Sequence, residues 1–352
     1  MESTTRRFAD PQDYGETMHN SAPLDVGLSC ASHLSRVPGA LMDCVSDDLS
    51  LLLAHHGVKD VEEPLSSDWR FQLQQEPHGL VRVLLPAPGL EERIAARTGL
   101  RLTWHTTRDV EDAARQWGGH LEHGRPVLVV GDAFHLPWLP YHGHQHMDHG
   151  FVVDGAHGSL QRPRNLVLDV TDPYDNATRW GAAKPLSTTV TLDALAPALR
   201  GSRWGVLHQD GPGEGKHSSA FAYMTDNLRA LRSAFEEKAY RHLLGSLDEQ
   251  SPASWDHYSL QTWLLSRSRA LHSRWLGAHA DEWQALRRNG KDLPVLFDEQ
   301  VTEPWKRAAQ ACYLAFRRTS SGKSVPPSAR ESLEFATASE GTFVDALSRQ
   351  VL

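Results

Sequence analysis

The stretch GRPVLVVGDAFHLPWLPYHGHQHMDHGFVVDG occupies residues 124–155, and after a polar turn NLVLDVTDPY follows at 165–174. Val127–Val130, Phe151–Val153 and Leu166–Val170 are apolar runs bounded by Gly and Pro, the third interrupted by Asp169, which predicts three buried strands. His149 stands just before the second run, and Asp172 just past the third, beside Pro173. A His opening one strand and a carboxylate closing the next meet across a hairpin. That is the placement a base and its orienting group take in cysteine hydrolase-like sites. Such a pair needs a nucleophile from elsewhere in the chain.

LMDCVSDDLSLLLAHHG, residues 41–57, supplies a candidate. Leu49, Leu52 and Leu53 share a helical face with Val45, and Gly57 closes the run. Cys44 therefore belongs to the first turn of a helix of about three turns. Free N–H groups and partial positive charge at a helix start are expected to lower a thiol pKa from about 8.5 towards neutrality. The same terminus offers a backbone N–H to an oxyanion. The plain alternative is a buried small hydrophobe. Cys30, in an irregular segment, and Cys312, in a late helix, are weaker nucleophile candidates, and three cysteines do not make a disulfide framework. Cys44, then His149, then Asp172 is the papain-like order.

Two residues compete around this reading. Asp169 lies inside the third strand with odd parity to Asp172, so the two face opposite ways, and Asp172 is preferred. Asp132 follows VLVVG directly and is either a turn residue or a carboxylate for a substrate ammonium. His135, His142, His144, His146 and His149 fall within fifteen residues, so zinc or nickel binding, with Asp132 or Asp148 as further ligands, is the rival reading. Gly143 and nearby prolines keep His142 and His146 off a shared helical face. His142, His144 and His146 are read instead as an exposed loop, and no metal site is assigned.

The chain has 352 residues, 40% hydrophobic and 23% charged, enough for two domains of a soluble globular type. A net charge of −8 disfavours a nucleic-acid partner. No apolar run approaches the roughly 20 residues of a membrane span, so no membrane association and a cytoplasmic location are expected. Residues 1–22 are polar and aperiodic, a flexible segment. Residues 23–209 read as α+β: helices at Leu90–Thr98, Val110–Leu121 and Leu192–Leu199, strands at Leu100–Thr106 and Trp204–Leu207, and an irregular start at Leu24–Ala40. A Gly- and Ser-rich linker spans 210–219. Residues 220–352 carry helical periodicity throughout, over Phe221–Leu247, Trp255–Leu286, Val301–Arg318 and Arg330–Leu352.

DCVSDDLSLLLAHHG, GRPVLVVGDAFHLPW, HGFVVDG and VLDVTDP together resemble the N-terminal domain family named after butirosin biosynthesis protein H, over about residues 28–205. The family consists of papain-like acyltransferases of natural-product (antibiotic) assembly, often with a helical C-terminal domain. The resemblance implies a papain-like fold, Cys44 as nucleophile, His149 as base, Asp172 as its partner and Asp132 as a pocket residue. Asp43, Phe134 and Trp138 join Asp132 as candidate substrate-binding residues. It further implies an acyl or aminoacyl donor on the phosphopantetheine arm of an acyl or peptidyl carrier protein, and a small-molecule amine acceptor. No cofactor is expected beyond that arm; a homodimer is compatible with the sequence. The family's Gly-Leu-Gly after the first helix is replaced by PLSSDWRFQLQ, and Phe134 and Trp138 stand where Tyr is frequent. The alternatives are a thioesterase or amidase of the same fold, a His-rich metal-binding protein, and an inactive carrier-binding module.

Overall fold

The computed structural model describes residues 23–75, 79–84, 89–209, 219–236, 239–287 and 290–352. The segment 1–22 and all but the last residue of the 210–219 linker lie outside them. The first half runs β1 (Leu24–Gly27), α1 (Cys44–His55), α2 (Glu63–Ser66), β2 (Gln72–Gln75), β3 (Val81–Leu84), α3 (Leu90–Thr98), β4 (Leu100–Thr106) and α4 (Val110–Glu122). It continues with β5 (Val127–Asp132), β6 (Asp148–Gly158), β7 (Val167–Asp172), β8 (Asn176–Thr178), β9 (Gly181–Ala183), β10 (Leu186–Thr191), α5 (Leu192–Leu195) and β11 (Arg203–Gln209). The second half is helical: α6 (Ala220–Glu236), α7 (Ala239–Gly245), α8 (Pro252–Ala278), α9 (Leu293–Phe297), α10 (Glu303–Thr319) and α11 (Ser328–Val351). The fold is α+β followed by helices, as the sequence predicts. No helix among the described residues is long and apolar enough to cross a membrane.

The main sheet orders its strands β10-β7-β6-β5-β11-β4, with β1 added on β6, and every pairing is antiparallel. The unbroken apolar run of β5 follows from burial on both faces. Val127 and Val129 pack with Ala113, Trp117 and Leu121 of α4. Leu128, of opposite parity, packs with Leu49, Leu52 and Leu53 of α1. The sheet is thus sandwiched between α4 and α1, and α1 is the helix that begins with Cys44. One expectation is corrected here. Leu24–Ala40 is not irregular throughout, because Leu24–Gly27 pair with Gly158–Gly155 as β1, and Cys30–Arg36 form a 3₁₀ segment.

The helical half joins this layer through two groups, the buried Glu340 and the half-buried Arg267. Glu340 of α11, fully buried, accepts hydrogen bonds from Trp69 Nε1 (2.6 Å), Trp305 Nε1 (2.7 Å), Tyr240 Oη (2.5 Å) and Arg269 (2.9 Å). Trp69, with Phe71, Val81 and Val83 of the β2–β3 region, lies in the same apolar core as the C-terminal helices. Arg267 of α8 donates to the carbonyls of Gly39 (2.8 Å), Met42 (2.6 Å) and Asp175 (2.9 Å), and to Asn176 Oδ1 (3.2 Å). Met42 precedes Cys44 by two residues and Asp175 follows Asp172 by three. One guanidinium on the helical half therefore ties together the backbone segments carrying both residues.

Candidate functional site

Asp43 starts α1. Its backbone is extended, and its carboxylate accepts from the Ser46 N–H (3.1 Å) and the Ser46 hydroxyl (2.9 Å), the N-cap arrangement that satisfies free donors of the first turn. Cys44 is the first residue of the helix, half-buried against the sheet core. The helix start meets β6 at Gly150, whose N–H favours the Cys44 thiolate. A Cβ at Gly150 would lie 2.2 Å from Asp48 Oδ2 and 3.4 Å from the Cys44 carbonyl carbon, so a larger residue there must displace the buried Asp48 carboxyl or the helix that carries it.

His149, the residue before Gly150, lies within β6, one residue past its first position. It is 1% exposed, and its Nε2 stands 2.9 Å from Asp172 Oδ2. Asp172 is the last residue of β7, not a residue beyond it. Its carboxylate also accepts from Trp138 Nε1 (2.8 Å, Oδ2) and from the Tyr174 N–H (3.0 Å, Oδ1). Three donors hold one acceptor in place, and with the Nε2 proton directed at Asp172, Nδ1 is left as the basic nitrogen. The Tyr174 ring stands edge-on to His149, centroids 5.1 Å apart, and its hydroxyl is raised by burial first, then by Tyr141 and Cys44. Cys44, His149 and Asp172 are thus gathered at one end of β6. Asp169, by contrast, pairs with His157 Nε2 at 2.9 Å, on the opposite face as parity predicts.

The expectation of a lowered thiol pKa does not hold. Burial pushes the Cys44 thiol well above its ordinary value, and Asp43, Asp48 and Asp172 push it further, against the pull of the Gly150 N–H. A helix terminus acts through a fraction of a charge, whereas three carboxyl groups crowd this one. Burial likewise raises Asp47 and Asp48, both fully buried and neither with a hydrogen-bond partner for its carboxyl oxygens. Burial raises the Cys312 and Cys30 thiols as well, Cys312 to about 12 in the helical core, and their side-chain contacts are with Thr262 for Cys312 and with His55 Nδ1, at 3.7 Å, for Cys30, not with the His149–Asp172 pair.

The four remaining candidates find definite places. Asp43 caps α1. Asp132 ends β5 and accepts from the Phe134 N–H (3.0 Å, Oδ1), with Oδ2 2.6 Å from His146 Nδ1. Phe134 stacks on His146, centroids 4.1 Å apart. Trp138 lies edge-on to Phe151 and bonds Asp172, a positioning contact that the sequence reading did not foresee. His142, His144 and His146 are exposed, as read from the loop composition. Beside the start of α1, a small cleft is lined by Asp43, Ser46, Asp68, Arg70, Arg93 and Arg267, among others.

Residues 43–161 match the family model described as butirosin biosynthesis protein H, N-terminal, which bears out the resemblance over that stretch. The match begins at the N-cap of the Cys44 helix and ends just after β6. No curated protein matches the chain.

Proposed function

We propose that this protein is a cysteine acyltransferase of natural-product biosynthesis, moving an acyl or aminoacyl group from a carrier-bound thioester to an amine through a Cys44 acyl-enzyme. The reading rests above all on one observation: a helix-start cysteine against Gly150, beside a buried His149–Asp172 pair whose free nitrogen is Nδ1. The raised thiol implies that Cys44 rests protonated, so the thiolate forms by transfer of its proton to His149 Nδ1 as the substrate arrives, rather than as a standing ion pair. Sulfur then bonds the thioester carbon, and the carbonyl electrons collect on oxygen. Asp43 already engages Ser46 at the helix start, so the Cys44 N–H is the donor left for that oxyanion. Collapse expels the carrier thiol, which takes the proton from His149. The acceptor amine next attacks the acyl carbon, gives its proton to His149 Nδ1, and Cys44 leaves as the thiol. Asp172 stabilises the imidazolium in both halves. No cofactor is invoked beyond the donor's own pantetheine arm. Water at about 55 M competes for the acyl-enzyme, so transfer needs a bound amine of high effective molarity.

The test is intact-protein mass after incubation with acyl-pantetheine thioesters, for wild type and Cys44→Ala. An adduct on wild type alone, discharged faster by amines than by buffer, is the expected result. Discharge by buffer alone at the same rate identifies a hydrolase. A wild type that forms no adduct with any thioester of the panel overturns the acyl-enzyme.

A further inference from the structure

The β5–β6 connection holds a second constellation that the acyl-transfer chemistry does not use. Asp132 caps a single 3₁₀ turn, Ala133–His135, and in such a turn side chains three residues apart eclipse. Asp132 and His135 therefore lie on one side of the turn. His146, returning along the connection into β6, brings a third group to the same place. One potential ligand atom from each of Asp132, His135 and His146 lies within 4.8 Å of the other two. The remaining histidines of the tract stand apart. His144 stacks on Trp180, ring planes 6° apart, and neither it nor His142 belongs to this group.

The geometry points to a binding site for one divalent transition-metal ion of the zinc type, held by Asp132, His135 and His146. Two imidazoles and a carboxylate are a donor set that zinc accepts, and three protein ligands leave a position for water. The surroundings orient the set. Phe134 lies parallel to the His146 ring at 4.1 Å and edge-on to His135 at 5.1 Å, and its N–H fixes one Asp132 oxygen, leaving the other towards His146. In the metal-free protein the 2.6 Å contact between His146 Nδ1 and Asp132 Oδ2 is a hydrogen bond. Metal–ligand bonds of about 2 Å place two donors somewhat further apart than that, so the ion replaces the shared proton after a small opening. The ion then acts as a staple. It joins the end of β5 to the start of β6 across the connection that carries Trp138, the donor to Asp172. His149 pairs with Gly131, one residue before Asp132, so the staple closes the strand end next to the candidate catalytic pair.

Equilibrium dialysis of the tag-free full chain against Zn²⁺, with metal counted per chain, tests this. One Zn²⁺ per wild-type chain is expected. Asp132→Asn, His135→Ala and His146→Ala should each weaken binding by at least about tenfold, the lower end of what even an outer-shell partner contributes. His142→Ala, His144→Ala and Cys44→Ala should bind as wild type. Zn²⁺ should also raise the melting temperature of wild type but not of His135→Ala, and far-UV circular dichroism of the metal-free variants checks that they fold. Absence of stoichiometric binding overturns the site. So does binding that survives His135→Ala, or that is lost in Cys44→Ala or His144→Ala.

Discussion

Gly150 is where the helix carrying the proposed nucleophile, Cys44, and the strand carrying the proposed base, His149, touch, and adding one methyl group there tests that geometry. The new Cβ would sit 2.2 Å from Asp48 Oδ2, whereas real Cβ atoms keep at least 3.0 Å from their neighbours. Asp48 is fully buried in the second turn of α1 and has no surface to swing towards. In Gly150→Ala either the start of α1 withdraws by the better part of an ångström or Asp48 forces its way into the leucine layer. Overpacking of this kind costs about 1–3 kcal/mol. A nucleophile displaced by ~1 Å from its base loses on the order of a hundredfold in rate. Truncating the obstructing side chain should reverse both effects, so Gly150→Ala/Asp48→Ala recovers most of the stability and of the acylation rate. Urea midpoints and the rate of acyl-adduct formation, measured on wild type, both single variants and the double variant, give the coupling. It should be about 1 kcal/mol or more in the direction of rescue. Strict additivity, or a Gly150→Ala protein that unfolds and acylates like wild type, refutes the contact as the constraint.

Four other outcomes follow from the same structure. Asp48 holds its proton more tightly folded than unfolded, so its contribution to stability is complete below about pH 4 and is lost as pH rises towards the raised folded value. Asp48→Asn should therefore flatten the decline of unfolding free energy with pH, by at most about 1.4 kcal/mol per pH unit, in denaturation series run upwards from pH 4. Glu340→Ala leaves the Arg269 charge buried without its carboxylate and should cost about 3–5 kcal/mol by urea unfolding. Trp138→Phe keeps an aromatic ring but removes a donor to Asp172, a bond worth about 1.5–3 kcal/mol of stability, so the melting temperature should fall by a few degrees and acyl-adduct formation should slow as Asp172 loses one of its fixed contacts. Arg267→Met releases three carbonyls and an amide oxygen flanking Cys44 and Asp172; a slowed acylation with unchanged helical circular dichroism is expected, and an unchanged rate would separate the helical half from the site.

The residues legible in the sequence are those whose environment repeats along the chain. β5 reads as a strand because both faces are buried, which leaves no polar interruption between Val127 and Val130, and His149 and Asp172 are legible because strand ends place them. The helix start at Cys44 is legible through the face that Val45 shares with Leu49, Leu52 and Leu53, whereas its Asp43 cap on Ser46 is a finding of the structure. β1 escaped notice because four residues are too few to display a period, and its pairing partner lies more than 120 residues away. The thiol environment was misjudged for a related reason. A helix start is a local feature that favours the thiolate, but the burial and the carboxyl groups that oppose it arise only when α1 closes on β6 at Gly150 and Asp172 arrives from β7. The same holds for Trp69, whose indole reaches Glu340 across 271 residues. Periodicity and strand ends thus place the candidate residues to within a strand end or a helix turn. Their protonation was set by contacts between elements, and so was not legible until the helix and the sheet were seen together.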